Sequence, residues 1–174
     1  MTDAITFFVG SVLFTIGGGL QTWLAVPAPP APRSGQAAGW AAVIQSLGTL
    51  FINVTTFRAL QTTVGSPQYD RLVWRPDAWG LVCFLVSGVI AYRASARRGL
   101  LPGRREGGWQ SGVNLLGGVF FGIAAVAGYV VPSSGSTLDL AAANWTTAAG
   151  AACFLGCAVG SLNATHRSGA NVTA

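Results

Sequence analysis

Long runs of apolar residues without a charged side chain alternate with short polar segments along this chain. A helix needs roughly 20 apolar residues to cross a hydrocarbon layer of about 30 Å. The runs predict five such helices, at about residues 4–26, 37–57, 78–92, 109–131 and 140–162. We therefore predict an all-α fold, a polytopic transmembrane helical bundle of five spans, with residues 1–174 forming a single integral membrane domain.

Local signals set the ends of two of these spans. The proline-rich residues 27–32 cannot continue a helix and end the first span. The sequence Arg75-Pro76-Asp77 is a helix start and opens the third span. The uncharged part of the third span covers only about 23 Å at about 1.5 Å per residue. We therefore expect Asp77 and Arg93 to reach the membrane interfaces by snorkelling, or the bilayer to thin.

The composition supports a membrane protein and excludes an ordinary soluble domain. The chain is 51% hydrophobic and 9% charged, whereas soluble domains are about 25% charged. The net charge of +5 comes from Arg residues next to the spans, where the excess of positive charge in cytoplasmic loops accounts for them. Nucleic-acid binding is not expected.

The distribution of Arg predicts the orientation. The loop between spans three and four is predicted to be cytoplasmic because it holds five Arg against one Glu: Arg93, Arg97, Arg98, Arg104, Arg105 and Glu106. The N-terminus then lies outside and the C-terminus in the cytoplasm. Tryptophans near the span ends are typical of the headgroup region: Trp23, Trp40, Trp74, Trp79, Trp109 and Trp145.

Several amide side chains lie within or near the spans, among them Gln45, Asn53, Asn114 and Asn144. An amide in hydrocarbon needs a partner, so we expect most of them to form hydrogen bonds between helices. The alternative is that Gln45, Asn53 and Asn114 line a polar path for a neutral solute. The absence of titratable residues deep in the spans argues against a proton-coupled pump.

Small residues recur at every fourth position in two spans. They are Gly118 and Gly122 in span four, and Ala148, Ala152, Gly156 and Gly160 in span five. This spacing lets helix backbones approach closely. We expect contacts with other helices of the same chain; the alternative is a homo-oligomer formed through span five.

The chain has little chemistry for catalysis or metal binding. Its three cysteines, Cys83, Cys153 and Cys157, and the single histidine, His166, are too few and too scattered for a soft-metal site. We interpret the cysteines as small hydrophobic residues. No metal, cofactor or enzymatic activity is expected.

The most distinctive polar segment joins spans two and three. It combines charged and aromatic side chains: Tyr69, Asp70, Arg71, Trp74, Arg75, Asp77 and Trp79. The pattern suits a short interfacial helix or turn, with Asp70 and Asp77 available for ion pairs with the arginines. One interpretation is an anchor that sets span three. The other is a recognition surface for a lipid headgroup or partner protein, since Arg and Trp dominate such contacts.

Spans two and four share a short pattern of an amide, a Leu-Gly pair and a Phe. The residues are Gln45, Leu47, Gly48 and Phe51 in span two, and Asn114, Leu116, Gly117 and Phe120 in span four. Repeated hairpins would place a binding site between the repeats. Apolar, glycine-rich composition alone could also produce the similarity.

Several stretches of the chain carry a resemblance to a known family. They are FFVGSVLFTIGGGLQ, QSLGTLFINVTTFRALQ, YDRLVWRPDAWGLVCFLVS, NLLGGVFFGIAAVAGYVVPSSG and CFLGCAVG. Together they resemble a bacterial family of small integral membrane proteins of unknown function. The segments Gly10–Phe14 and Gly48–Phe51 are also similar to the YrhK-like membrane domain. The resemblance implies a bacterial inner-membrane protein and assigns no catalytic residue.

Two functional hypotheses follow from these observations. The first is a non-enzymatic structural or accessory component, which binds lipid or a membrane protein partner through the segment from Tyr69 to Trp79. The second is a small transporter or channel for a neutral solute, lined by the amides. The expected partners are the lipid bilayer and a membrane protein or a second copy of the chain.

Overall fold

The computed structural model describes residues 2–25, 33–96 and 108–170, without the side chains of residues 2–3, 24–25, 33–34, 108 and 162–170. It contains five α-helices: α1 (Thr2–Ala25), α2 (Arg33–Ala59), α3 (Arg75–Ala96), α4 (Gly108–Ala127) and α5 (Leu140–Ala170). Each belongs to a segment long and apolar enough to cross a membrane. The predicted all-α bundle of five spans is therefore confirmed, and the chain is a membrane protein.

The bounds of the helices differ from the sequence prediction, notably around α3 and at the end of α4. A π-helical turn, Asp70–Trp74, leads directly into α3, so this helical segment runs for 27 residues from Asp70 to Ala96. The predicted short third span is wrong because the helix continues past its charged residues. The fourth span was predicted to reach residue 131, but α4 ends at Ala127. There the chain turns into a small antiparallel hairpin of β1 (Val130–Val131) and β2 (Ser136–Thr137).

The outer surface of the bundle is apolar. Five of the six tryptophans are more than half exposed: Trp23, Trp40, Trp79, Trp109 and Trp145. Leu13 and Leu155 are also 64% and 65% exposed. Lipid tails are as apolar as leucine, so such side chains need no protein cover in a membrane. The five tryptophans have the exposure that the predicted interfacial positions require.

Consecutive helices are antiparallel neighbours. The start of α1 lies beside the end of α2, and the connections 60–74 and 128–139 lie at the same end of the bundle, which we call the loop end. The connections at the opposite end, residues 26–32 and 97–107, lie outside the described residues. Most of the arginines that predict the orientation also lie there, as does the side chain of His166, so the orientation stays a prediction.

Three parallel helices meet at a cluster of phenylalanines. Phe14 of α1, Phe84 of α3 and Phe154 of α5 contact one another, with ring centroids 5.4 to 5.8 Å apart. Phe121 of α4 packs on Phe84 and stacks on Phe154 at 5.6 Å. Phe84 is only 2% exposed. Because the three ring-centroid distances are nearly equal, α1, α3 and α5 lie around one central point.

Helices α2 and α3 approach each other through two glycines. A methyl group on Gly48 would lie 2.9 Å from the carbonyl oxygen of Gly80, 3.0 Å from Cβ of Cys83 and 3.1 Å from the ring of Phe84. Such distances leave no room for a side chain at Gly48. The backbones therefore touch at this crossing.

Helices α4 and α5 repeat this crossing residue for residue. A methyl group on Gly117 would lie 3.3 Å from the carbonyl oxygen of Gly150, and 3.1 Å from both Cβ of Cys153 and the ring of Phe154. These three contacts are with the same residue types, in the same order, as those of Gly48. The pair α4–α5 thus has the same internal packing as the pair α2–α3.

A polar contact at the next turn repeats as well. Ser87 of α3 donates to the carbonyl oxygen of Ala41 at 2.7 Å, and Cys157 of α5 donates to that of Gln110 at 3.3 Å. Shared composition would not reproduce matching contacts partner for partner. The similarity between spans two and four therefore reflects two structurally repeated hairpins.

Helix α1 extends the repeat by one helix. The same sequence spacing separates Phe14 from Phe84 and Phe84 from Phe154. A methyl group on Gly18 of α1 would lie 3.3 Å from Oγ of Ser46, and one on Gly88 of α3 would lie 3.1 Å from Cα of Leu115. Ser46 and Leu115 occupy equivalent places in α2 and α4. Thus α1 sits against α2 as α3 sits against α4.

The two connections at the loop end touch through glycines. Gly65 and Gly135 have φ of 84° and 66°, and a methyl group on Gly65 would lie 2.8 Å from the carbonyl oxygen of Gly135. We expect Gly65→Ala to lower the free energy of unfolding by about 1–2 kcal/mol, because L-residues are strained at positive φ. Thermal unfolding in detergent measures this, with the exposed Thr63→Ala as control. Equal melting temperatures would contradict the contact.

Candidate functional site

The segment from Tyr69 to Trp79 is folded against the end of the bundle. Val73 is 4% exposed, and its carbonyl oxygen accepts a hydrogen bond from Thr55 Oγ1 at 3.2 Å. Trp74 donates from Nε1 to the carbonyl oxygen of Ala125 at 3.0 Å and meets the ring of Tyr129 edge-on at 5.0 Å. Trp74 therefore faces the protein, which is the placement that the anchor interpretation requires.

The hydrogen bond from Trp74 belongs to a complete set at the end of α4. The last four carbonyl groups of an α-helix have no partner within the helix. In α4 each of these four carbonyl oxygens has a partner. Ala124 accepts from the N–H of Gly128, and Ala125 accepts from Nε1–H of Trp74. Val126 accepts from the N–H of Tyr129, and Ala127 accepts from the N–H of Asp139. Asp139 in turn caps α5 by accepting from the backbone N–H of Ala142 at 2.9 Å. Within this set, the bond from Trp74 connects the segment to the end of α4.

The outer part of the segment remains accessible. Arg75 donates from Nε to Asp70 Oδ2 at 2.8 Å, as predicted for Asp70. A π-helical turn brings residues five apart together, which explains this pair. Arg71 is exposed and Trp79 is 61% exposed. We call the exposed set Asp70, Arg71, Arg75 and Trp79 the rim surface.

The remaining acidic and phenolic residues of the segment, Asp77 and Tyr69, are less exposed than Arg71, Arg75 and Trp79. Asp77 is partly buried in the first turn of α3. Burial, and secondly the Asp77 carboxylate, raise the pKa of the Tyr69 phenol. A phenol is already protonated at neutral pH, and this upward shift moves its ionisation further into the alkaline range.

Two of the predicted amides meet inside the bundle. Gln45 is 6% exposed, and its Oε1 lies 3.4 Å from Asn114 Nδ2 and 3.2 Å from Ser87 Oγ. Ser87 is fully buried, and its single hydroxyl proton is shared between Gln45 and the closer carbonyl oxygen of Ala41. These residues form a polar layer that joins α2, α3 and α4. Buried amides thus bond across helices, as expected.

The other two amides lie elsewhere. Asn53 points to α1, where its Nδ2 donates to Thr15 Oγ1 at 2.8 Å. Its Oδ1 is buried and has no hydrogen-bond partner among the described residues. Asn144 is exposed on α5. The structure therefore brings Gln45 and Asn114 together but does not place Asn53 with them on one path.

A row of hydroxyl contacts between α1 and α2 was missed by the sequence analysis. Ser11 and Thr56 lie 2.8 Å apart at their hydroxyl oxygens, and Thr22 and Ser46 lie 2.6 Å apart. Thr15 lies between them, with Asn53 as its donor. The signal was present, because Ser11, Thr15 and Thr22 recur at intervals that place them on one helix face. These bonds, which we call the hydroxyl row, attach α1 to the bundle.

The predicted small-residue contacts hold in α4 and fail in most of α5. Gly118 and Gly122 lie against α3, as predicted. In α5, Gly160 lies against Trp109. The other members of the stripe are exposed: Ala148, Ala152 and Gly156. Helix α5 instead packs through its Gly150 face, because that face carries the repeated crossing.

The described residues contain little that could hold a metal ion. Cys83, Cys153 and Cys157 are free thiols. Within residues 2–25, 33–96 and 108–170, no three His, Cys, Asp or Glu side chains come together as a possible metal site.

Comparison with family models, with curated proteins and with solved structures finds no match to this chain.

Proposed function

We propose that the protein is a non-enzymatic accessory component of a bacterial inner membrane, with the N-terminus outside. It binds lipid or a partner membrane protein at the rim surface of Asp70, Arg71, Arg75 and Trp79. The observation that carries this proposal is the contrast between the rim surface, which is exposed and charged, and the filled interior of the bundle.

The exposed side chains have the chemistry for such binding. Arg presents a planar group of donors that suits phosphate and carboxylate oxygens, and Trp favours the headgroup region. Among the described residues, Arg71 has no ion-pair partner, so its charge is available. The Asp70–Arg75 pair is exposed, and such pairs contribute only about 0–1 kcal/mol. A phosphate group can therefore compete for Arg75.

The interior gives less support to a solute path. The Gln45 amide oxygen is engaged by Ser87 and Asn114, and the phenylalanine cluster fills the neighbouring layer. A solute would have to displace these contacts. The accessory function requires no such rearrangement.

Replacing both rim arginines should weaken the retention of a bound lipid or protein. An Arg near an anionic membrane surface contributes about 1 kcal/mol, so Arg71→Ala with Arg75→Ala should weaken binding about thirtyfold. Native mass spectrometry of the protein in mild detergent would identify what stays bound. Arg58→Ala is the matched control, because Arg58 is also exposed at the loop end.

The double variant should keep the melting temperature of the wild type, since neither arginine is buried. Retention of the same lipids and proteins by the double variant, the control and the wild type would refute the proposed role of the rim surface.

A further inference from the structure

The repeated packing leaves one place in the bundle unfilled. Helix α2 lies between α1 and α3, and α4 lies between α3 and α5. Helices α1 and α5 also meet, through Phe14 and Phe154 at 5.4 Å. No described helix covers that third junction. The three parallel helices α1, α3 and α5 thus form three junctions around the phenylalanine cluster. Helix α2 covers the first and α4 covers the second, and we call the uncovered position between α5 and α1 the third place.

The face of α1 at this junction is equivalent to covered faces of α3 and α5. A methyl group on Gly80 would lie 2.9 Å from Ile52, and one on Gly150 would lie 3.1 Å from the carbonyl oxygen of Gly117. The equivalent residue of α1 is Gly10, which has no heavy atom within 4 Å. Two further residues on this face are also open: Leu13, which is 64% exposed, and Gly17.

The face of α5 at this junction is likewise uncovered. In α3 the equivalent face packs on α4, where Leu81 is 5% exposed and a methyl group on Gly88 would lie 3.1 Å from Leu115. The corresponding residues of α5 are exposed: Ala151, Leu155 and Ala158. The exposed faces of α1 and α5 at this junction are therefore each equivalent to a face that packs against a helix elsewhere in the bundle.

We propose that the groove between α1 and α5, lined by Gly10, Leu13, Gly17, Leu155 and Ala158, binds one membrane-spanning helix of a partner protein. This inference goes beyond the proposed function, because it concerns a different surface and does not depend on the rim surface. The groove continues the interfaces that the chain already makes twice within itself.

The two helices that already cover such junctions, α2 and α4, indicate which sequence pattern the partner helix should have. Helices α2 and α4 carry an amide, a glycine three residues later and a large apolar residue four residues after that. These residues are Gln45, Gly48 and Ile52 in α2, and Asn114, Gly117 and Phe121 in α4. The glycine permits the crossing, and the apolar residue covers the phenylalanines. The partner helix should carry the same pattern.

Helix direction selects a partner protein over a second copy of the chain. The helix in the groove must run antiparallel to α1 and α5, as α2 and α4 do. In a second copy inserted with the same orientation, α1, α3 and α5 run the wrong way. Its α2 and α4 run the right way but already pack on two neighbours each. A separate chain meets both requirements.

A peptide with the sequence of α4 is the probe for this groove. The peptide Gly108–Ala127, flanked by lysines and labelled with a fluorescent acceptor, is reconstituted in phosphatidylcholine vesicles with the donor-labelled full-length protein. Energy transfer should exceed that of a scrambled peptide. The peptide variant Gly117→Leu should bind at least about tenfold more weakly, because the crossing then lacks its close approach.

Variants of the full-length protein locate the binding. Gly10→Leu with Gly17→Leu should reduce peptide affinity at least about tenfold. Gly19→Leu should leave it unchanged, since Gly19 lies on the opposite side of α1 and is equally uncrowded. All three positions are open, so the variants should fold with the melting temperature of the wild type.

Several outcomes would overturn the inference. Energy transfer no greater than that of the scrambled peptide, or equal effects of the Gly10/Gly17 and Gly19 variants, would each do so. A homodimer that the Gly10/Gly17 variant dissociates, without peptide binding to the wild type, would identify a second copy as the occupant instead. Loss of lipid at the rim surface would not affect the result.

Discussion

Valine in place of Gly48 or Gly117 should destabilise the bundle by about 3 kcal/mol, at the upper end of what overpacking commonly costs. At each position even a single methyl group would lie 2.9 to 3.3 Å from backbone oxygen of the neighbouring helix. A helix backbone cannot yield as a flexible side chain can, so the two helices must separate. The losses should be similar, because the two crossings make the same contacts.

Gly10→Val is the matched control for this prediction. Gly10 is equivalent to Gly80 and Gly150, but its surroundings are empty in the isolated chain. Its substitution should therefore leave the free energy of unfolding unchanged. Reversible unfolding in mixed micelles, followed by circular dichroism, measures all three variants. Equal destabilisation by Gly10→Val, or none at Gly117, would contradict the repeated packing.

Removing the ring of Phe84 should produce a loss of similar size. Phe84 contacts the rings of Phe14, Phe121 and Phe154 and is 2% exposed. Truncation of a buried Phe to Ala costs about 3–5 kcal/mol in soluble proteins. Part of that cost is transfer from water, which is absent in lipid, so we expect about 2–3 kcal/mol from lost packing alone.

Phe7→Ala provides the comparison for the Phe84 variant. Phe7 is 52% exposed on α1, so its truncation should cost less than about 0.5 kcal/mol. The same unfolding assay applies. A Phe84→Ala protein as stable as Phe7→Ala would show that the three parallel helices are not held together at the phenylalanine cluster.

The number and approximate places of the helices could be predicted because length and apolar composition determine them in a membrane. The exact ends of the helices could not be predicted in this way. Residues 128–131 are apolar enough to continue α4, but the helix ends at Ala127, where the N–H groups of Tyr129 and Asp139 bond to its last carbonyl oxygens. The π-helical turn at Asp70–Trp74 also has no signal in the local sequence, and its last residue, Trp74, bonds to Ala125 of another helix.

The types of residue in the candidate site could be predicted from the sequence. The contacts that their side chains make could not. The sequence showed that Gln45 and Asn114 needed hydrogen bonds, but not that they would bond to each other. Nor could it show that Trp74 faces the protein while Trp79 faces outward, since both are Trp at a span end. The repeat was visible in spans two and four. Its extension to α1 was hidden, because α1 and α3 share few residues besides glycine and phenylalanine.

The hydroxyl row between α1 and α2 differs in kind from the glycine crossings. Ser11, Thr22 and Thr56 each also lie within hydrogen-bond distance of a carbonyl oxygen of their own helix. Each of these three hydroxyls would therefore keep an acceptor if the two helices were separated. Asn53, by contrast, donates across the seam to Thr15. The hydrogen-bonding cost of separating α1 from α2 thus falls on this partly buried amide more than on the three hydroxyls.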